Sequence, residues 1–325
     1  MARSVLVAVS LATLSWVVGL EAQTTGILTV DARANIFGAG QAPPGGGMQP
    51  PVFSFPAGPG KVLTFSSVTG LVSFSVSDPF IAPDGDPGFH TGHTGTDIDP
   101  GGGISGIKAD PGPLMFLAGV FLTDAPPAPP APPKLDFTGK LGFTDLSPQI
   151  GQVFFVGDGL TGTGSGTVQR FYVPASATRL FLGFADAGGF HGFPGFYEDN
   201  QGSFTAIFKF HLTVGIDIKP GSFPNTINLS SGGTLPVAIF STPSFDARTV
   251  DPVTVTLAGS SLKLKGQGSP MASVEDVNKD GSLDLVVHVV TEALQLTATD
   301  VEAVLEGMTF SGQPIRGVDT VRLLP

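Results

Sequence analysis

The chain has 325 residues, 41% apolar and only 13% charged, and its 45 Gly and 29 Pro make more than one residue in five a backbone special case. Gly and Pro are the poorest helix formers, so this composition excludes a helical protein, while 26 Phe and several Val/Ile/Leu runs supply too much apolar surface for a disordered one. The 16 Lys+Arg against 27 Asp+Glu leave a net charge of -11 with no basic cluster, which removes nucleic acid as a partner; 0 Cys removes disulfides, thiolate metal sites and Cys nucleophiles.

Residues 1–22 read as a cleaved signal peptide: Arg3 is a basic start, Ser4 to Leu20 is mostly apolar, and Leu20-Glu21-Ala22 ends in a small residue. The mature chain is then secreted, extracellular or periplasmic, with no membrane segment. A retained anchor is the alternative, although this run is marginal for a spanning helix. An exported chain without Cys must brace its loops by other means, and bound Ca2+ is the candidate.

From Ile27 onward the pattern is strand-like. Ile27 to Val30, Lys61 to Phe65 and Leu71 to Val76 alternate between Gly/Pro breaks, and residues 42–51 form a loop. Asp78 to Gly106 is rich in Gly, Asp and His without apolar periodicity, and reads as one long loop and the first place to look for a site. Leu114 to Leu122 is apolar enough for a buried strand. The proline-rich stretch 124–134, where Ala125 to Pro133 repeats Ala-Pro-Pro, reads as a stiff polyproline loop inserted in one domain in preference to a linker. Gln152 to Val156, Val168 to Val173, Leu180 to Phe184 and Gly202 to Leu212 complete a first set of strands. Leu235 to Phe240, Val253 to Leu257, Leu283 to Val290 and Val301 to Leu305 repeat the grammar, with one short helix allowed around Pro243 to Arg248. The expected fold is all-β: two β-sandwich, jelly-roll-like domains in series, 24–214 and 215–325.

Asp276-Val-Asn278-Lys-Asp280-Gly281-Ser282-Leu-Asp284 places side-chain oxygens at loop positions 1, 3, 5 and 9 and Gly at 6, with the Ser282 carbonyl at 7; a cation taking six to eight oxygens needs that tight turn. Position 12 is Val287, so the loop sits on a β-scaffold and a further carboxylate must come from elsewhere, Glu275 being one candidate. The alternative is a solvated acidic turn. In the first domain Asp186 follows the Leu180 to Phe184 strand and Glu198-Asp199-Asn200 precedes the Gly202 strand; were these strands adjacent, the acids would meet at one sandwich end. His90-Thr-Gly-His93 offers a transition-metal pair with Asp84, Asp86, Asp97 or Asp99 as its only third ligands, a weak pattern for zinc.

Val168 to Phe208, through Phe171-Tyr172-Val173-Pro174, Leu180 to Asp186 and Phe196-Tyr197-Glu198-Asp199-Asn200-Gln201-Gly202-Ser203-Phe204, resembles the calcium-dependent galactose-binding lectins of the LecA (PA-I) type. Upstream, Gly70 to Phe74 and Pro83-Asp84-Gly85-Asp86 through His90 and His93 resemble that family's first site strand and its sugar-contacting loop. The resemblance implies a jelly-roll-like sandwich in which one Ca2+ bridges protein and sugar hydroxyls: side-chain oxygens from Asp186, Asp199 and Asn200, backbone carbonyls from Phe74 and Phe196, and His90 and His93 on the sugar, which also bonds to Asp186 and Asp199. The chain departs from the family in a longer loop between Asp186 and Asp199, in Asp at 199, and in the proline insertion. Phe190, Phe193, Phe196 and Tyr197 crowd that longer loop, and loop packing is the preferred reading over a sugar-stacking platform. Residues 215–325, with Ile216 to Gly221 at one end and Ile315 to Arg322 at the other, resemble a C-terminal β-module of secreted bacterial proteins.

The expected function is therefore a secreted, calcium-dependent carbohydrate-binding protein with a glycan partner, compatible with an oligomer and not an enzyme. The alternative is an extracellular structural or attachment protein whose calcium only fixes loops. No Gly-x-Ser-x-Gly, His-Glu-x-x-His or phosphate loop is present, and a glycan hydrolase would need a carboxyl raised by burial near a second one.

Overall fold

The computed structural model describes residues 25–86 and 93–324, so the signal-peptide reading and His90 lie outside the described residues. The protein is all-β; the helical segments among the described residues are three-residue 3-10 turns, and none of the helices is long and apolar enough to cross a membrane.

Apolar side chains collect in two clusters, one drawn from Val30 to Phe210 and the other from Val214 to Val321. The first is dominated by phenylalanine. Phe53 meets Phe208 edge-on at 5.1 Å, Phe55 lies 4.4 Å from Phe210, and Phe121 lies 5.1 Å from Phe154, so the aromatic content serves as sheet-to-sheet filling. One wall of this core is a four-stranded sheet in the order Val52–Ser54, Arg179–Gly183, Ala118–Leu122, Val153–Phe155. The other is part of a larger sheet in which Gln201–Thr213 pairs antiparallel with Lys61–Ser73 on one side and with Thr25–Asp31 on the other.

That larger sheet does not stop at the first core. Gln201–Thr213 outruns Thr25–Asp31, and its freed end, Leu212 and Thr213, pairs in parallel with Ile315 and Arg316 of the strand Pro314–Thr320. Glu302–Thr309 and Val250–Leu257 follow in the same sheet, and Ile216–Ile218, Thr234–Ile239, Asp284–Val290 and Ala272–Glu275 form a separate sheet beside the second cluster. The two cores therefore share one sheet, which the picture of two sandwiches in series leaves out.

Three local expectations change. Lys61 to Phe65 and Leu71 to Val76 are not separate strands: Lys61–Ser73 runs unbroken past Gly70. Gly70 is needed there because a Cβ would come 2.3 Å from the Ser203 carbonyl oxygen across the ladder, so the glycine marks a close approach and not a turn. Within Asp78 to Gly106, Thr96–Ile98 is a strand paired with Ile107–Ala109; it is too short for its periodicity to stand out in sequence. Around Pro243 to Arg248 the chain makes the 3-10 turn Ala247–Thr249, started by Asp246 accepting the Arg248 N–H at 2.9 Å. The proline stretch leads from Ala118–Leu122 into the two-residue strand Leu135–Asp136, and Gln152 Nε2, just before Val153–Phe155, holds its end by donating to Pro133 O at 2.7 Å.

His211 lies near the end of Gln201–Thr213, where the two cores meet, and is 8% exposed. Burial, then the charges of Arg316 and Arg170, hold its imidazole down to about 4 from 6.5. A histidine with a depressed folded pKa contributes stability that is complete above the unfolded value and is lost as pH falls toward the folded one. Melts between pH 7 and pH 4.5 should therefore show wild type losing stability, approaching about 3 kcal/mol at the acid limit, with His211→Gln flattening that slope; equal slopes would refute the assignment.

Candidate functional site

Asp186 leaves the strand Arg179–Gly183 through buried Phe184 and Ala185, while Asn200 enters Gln201–Thr213 from the 3-10 turn Tyr197–Asp199. These strands are not adjacent, contrary to the sequence reading: they belong to the two facing sheets. The residues meet because both strands open at the same end of the first core, and Asn200 Nδ2 donates to Asp186 Oδ2 at 2.9 Å. Asp186 Oδ1 accepts the Ala187 N–H at 2.8 Å.

Both side chains are buried, Asp186 at 3% and Asn200 at 5% exposure. Burial pushes the Asp186 carboxyl up to about 8; the bonds from Asn200 and Ala187 work against this, and the nearby Asp199 charge adds to it. Asn200 Nδ2 also reaches Ala32 O at 3.2 Å, but Asn200 Oδ1 is buried with no hydrogen-bond partner among the described residues. The site thus gathers a desolvated carboxyl group, an orphaned amide oxygen and, close by, a second acid, exposed Asp199.

The surrounding backbone is strained. Met115, Phe190 and Phe196 all have left-handed φ, at 55°, 58° and 68°, and Met115 Sδ lies 3.9 Å from Asn200 Nδ2. Non-glycine residues in this region are costly and concentrate where a loop is held for a purpose. Buried Tyr197 does much of the holding: its hydroxyl accepts the Asp186 N–H at 3.0 Å and donates to Phe184 O at 3.3 Å. Gly45 and Gly47 let a neighbouring loop lie directly on Pro194 and Tyr197, since a Cβ at Gly45 would sit 1.8 Å from Pro194 O and one at Gly47 2.8 Å from Tyr197 Cβ. Asn35, fully buried, ties that loop down by donating to Pro44 O and Gly46 O.

Phe74 is buried and meets Phe190 edge-on at 5.4 Å, and the His93 ring lies 6.4 Å from Phe190 and against Gly189, where a Cβ would be 2.8 Å from its Cε1. Phe74, His93, Asp186, Phe196, Asp199 and Asn200 are thus gathered at one end of the sandwich. The aromatic cluster splits: Phe190 and Tyr197 are buried, whereas Phe193 and Phe196 stand 61% and 69% exposed, so loop packing accounts for only half of it. For the zinc alternative, Asp97 and Asp99 are both drawn to Lys134, and Asp84 accepts the Asp158 N–H at 2.8 Å. Among the described residues no three His, Cys, Asp or Glu side chains form a metal-holding group.

In the second half, the Asp276 carboxylate accepts Asp280 N and Gly281 N at 3.1 Å each, Asn278 Oδ1 accepts Asp280 N at 3.1 Å, and Gly281 turns with φ 90°. The exposed oxygens of Asp276, Asn278 and Asp280 converge on one loop, and Ser282 follows, donating its N–H to Asp280 at 2.7 Å. Asp284, expected as the ninth-position ligand, is fully buried and accepts Ser241 N at 2.8 Å and Val277 N at 3.0 Å, which makes it a latch for the loop. Glu275 sits opposite it on Ala272–Glu275, taking the Ser273 hydroxyl at 3.2 Å.

Asn35 and Met115 are the parts that reading the residues missed, while Tyr197 reads in sequence as loop packing without its hydroxyl's role; the Gly45-Gly46-Gly47 run signals that another chain segment approaches closely there. Compared with protein-family models, with curated proteins and with solved structures, the chain matches none.

Three substitutions test this geometry. Tyr197→Phe strands the Asp186 N–H and should cost about 1–3 kcal/mol in urea denaturation. Asp284→Ala should cost at least about 2 kcal/mol whether or not calcium is present, whereas Asp280→Ala should matter only in its presence; an Asp284→Ala loss seen only with calcium would return that residue to the ligand set.

Proposed function

We propose that the protein is a calcium-dependent carbohydrate-binding protein, lectin-like, with its site at the Asp186–Asn200 end of the first core. The observation that carries this reading is the buried pairing of Asp186 with an Asn200 whose Oδ1 has no partner, beside Asp199: three oxygen-bearing side chains short of a positive charge. Hard oxygen donors of this kind suit Ca2+. Asp186, Asp199 and Asn200 would hold it, with carbonyls of Phe74 and Phe196, and when bound it supplies coordination positions for a vicinal diol of a sugar. The chain's own residues do the rest. Tyr197 and Asn35 fix the loops, His93 stands at the rim, the resemblance gives His90 a sugar contact as well, and exposed Phe193 and Phe196 give a sugar an apolar face to lie on. A galactoside is the sugar the resemblance suggests, and the Asp276–Asp284 loop is read as a second calcium loop that stabilises the C-terminal module. Secretion after removal of residues 1–22 belongs to the same reading.

A hydrolase is the rival that one observation favours, because Asp186 is a carboxyl raised by burial near a second acid. Its two oxygens are nonetheless engaged by Ala187 N and Asn200 Nδ2 and it is 3% exposed, which suits a ligand held in place better than an acid that must reach a leaving oxygen.

The test is retention on immobilised galactosides and a glycan panel in calcium and in excess chelator, with Asp186→Asn and an assay for released reducing ends. Calcium-dependent retention reduced at least about tenfold by Asp186→Asn supports the reading. No retention while calcium still raises the melting temperature leaves only structural calcium, and released reducing ends would make the protein an enzyme.

A further inference from the structure

A trough of about 1140 Å³ crosses the outer face of the shared sheet, over the junction of the two cores and away from the Asp186 pocket. Its lining comes from Lys61–Ser73, Gln201–Thr213, Pro314–Thr320, Glu302–Thr309 and Val250–Leu257, which lie side by side, so it runs across the strands. His211 lines it with most of its ring buried, and its ring nitrogens, bonded to no described residue, are left to the trough's solvent. Such a group on a concave surface marks a place where a ligand would complete the bonding.

The charges around His211 narrow the ligand. Arg170 is committed to Asp145 through Nε at 2.8 Å and Nη2 at 2.8 Å, and Asp319 is turned into the second core, accepting Ile218 N at 2.8 Å and Asn225 Nδ2 at 2.9 Å. Lys209, Arg316, Glu302 and Glu306 remain, and none makes a side-chain hydrogen bond or ion pair among the described residues. Counted over the whole lining, three cations (Arg170, Lys209, Arg316) face three anions (Glu302, Glu306, Asp319), so the trough offers no positive surplus, and a polyanion would meet repulsion from a chain of net charge -11. The open groups offer donors from Lys209 and Arg316, acceptors from Glu302 and Glu306, and both from Thr64, Thr256 and Thr320. Hydroxyl groups are what such a mixture bonds. Val304 and Val318, paired across neighbouring strands, put an apolar strip between the polar rows for the C–H faces of a ring. A peptide strand finds little here, because the floor strands are already paired on both sides and offer no free ladder edge.

We propose that this trough is a second binding site, for an extended neutral oligosaccharide chain held by side chains across the sheet without a metal ion. It stands apart from the calcium reading, and the two fail separately.

The test is affinity electrophoresis of the whole protein in excess chelator, in gels containing a β-glucan, a xylan, a galactomannan or, for comparison, alginate. Retardation by at least one neutral polysaccharide in chelator is expected, weakened about tenfold by Arg316→Ala and by Glu306→Gln and unchanged by Asp186→Asn. His211→Gln serves as a further variant that keeps a polar group, and unchanged melting temperatures for the Arg316 and Glu306 variants show that the fold is intact. No retardation by any neutral polymer, retardation by alginate alone, or retardation indifferent to Arg316→Ala and Glu306→Gln overturns the proposal.

Discussion

The ladder along Gln201–Thr213 is the interaction on which the rest of the structure depends. Its 13 residues pair with Lys61–Ser73 almost from end to end, with one bulge between Ile207 and Phe208, and this long pairing sets Phe204, Phe208 and Phe210 inward as the aromatic spine of the first core. The opposite edge is divided: Thr25–Asp31 covers Ser203 to Lys209, and Pro314–Thr320 takes the last two residues. Both candidate sites are attached to it. Asn200 stands immediately before its first residue and His211 near its last, about 36 Å apart at the rise of an extended strand. A strand so fully paired cannot slip by one residue without turning the phenylalanines out to solvent, so the two sites are held in fixed relation by the same constraint that makes the core.

Much of the fold was legible because a phenylalanine-rich, Gly/Pro-punctuated chain leaves few alternatives to strands and turns. The buried runs Ala118–Leu122 and Val153–Phe155 stood out as apolar segments, and Asp284–Val290 as a β-branched one. What failed to show was pairing. Gly70 resembles a strand break in sequence, yet it is a strand residue facing a carbonyl too close for a Cβ. The join of Leu212 and Thr213 to Ile315 and Arg316 links residues about a hundred positions apart in the chain, and nothing in either segment's own periodicity specifies its partner.

The site was legible in its ligand-type residues and not in its supports. Asp186, Asp199 and Asn200 could be picked out as oxygen donors near strand ends, and the structure gathers them, though from facing sheets. Tyr197 read as one more aromatic in a crowded loop; only its depth, with the hydroxyl placed between Asp186 N and Phe184 O, makes it a support. At Asp284 the spacing in the Asp276 loop fits a ligand, and what the sequence did not show is its burial and its two backbone N–H partners.

Asp186 and Asp284 together show why burial alone does not define a binding carboxylate. Each lies at the end of a strand and is nearly or wholly removed from solvent. Asp284 is served by two backbone N–H groups, donors that cannot move away and that stabilise the anion directly. Asp186 receives one backbone N–H and one amide N–H, and that amide brings its own oxygen into the same dry space with nothing to bond it, while burial and the nearby Asp199 charge both disfavour ionisation of the carboxyl. Leaving a buried acceptor unmatched works against folding, and the same pattern recurs where Asn225, its Oδ1 unmatched, donates to Asp319. The chain makes both arrangements, and they differ in what meets the carboxyl: two fixed backbone donors at Asp284, one backbone donor and an amide with an unmatched oxygen at Asp186.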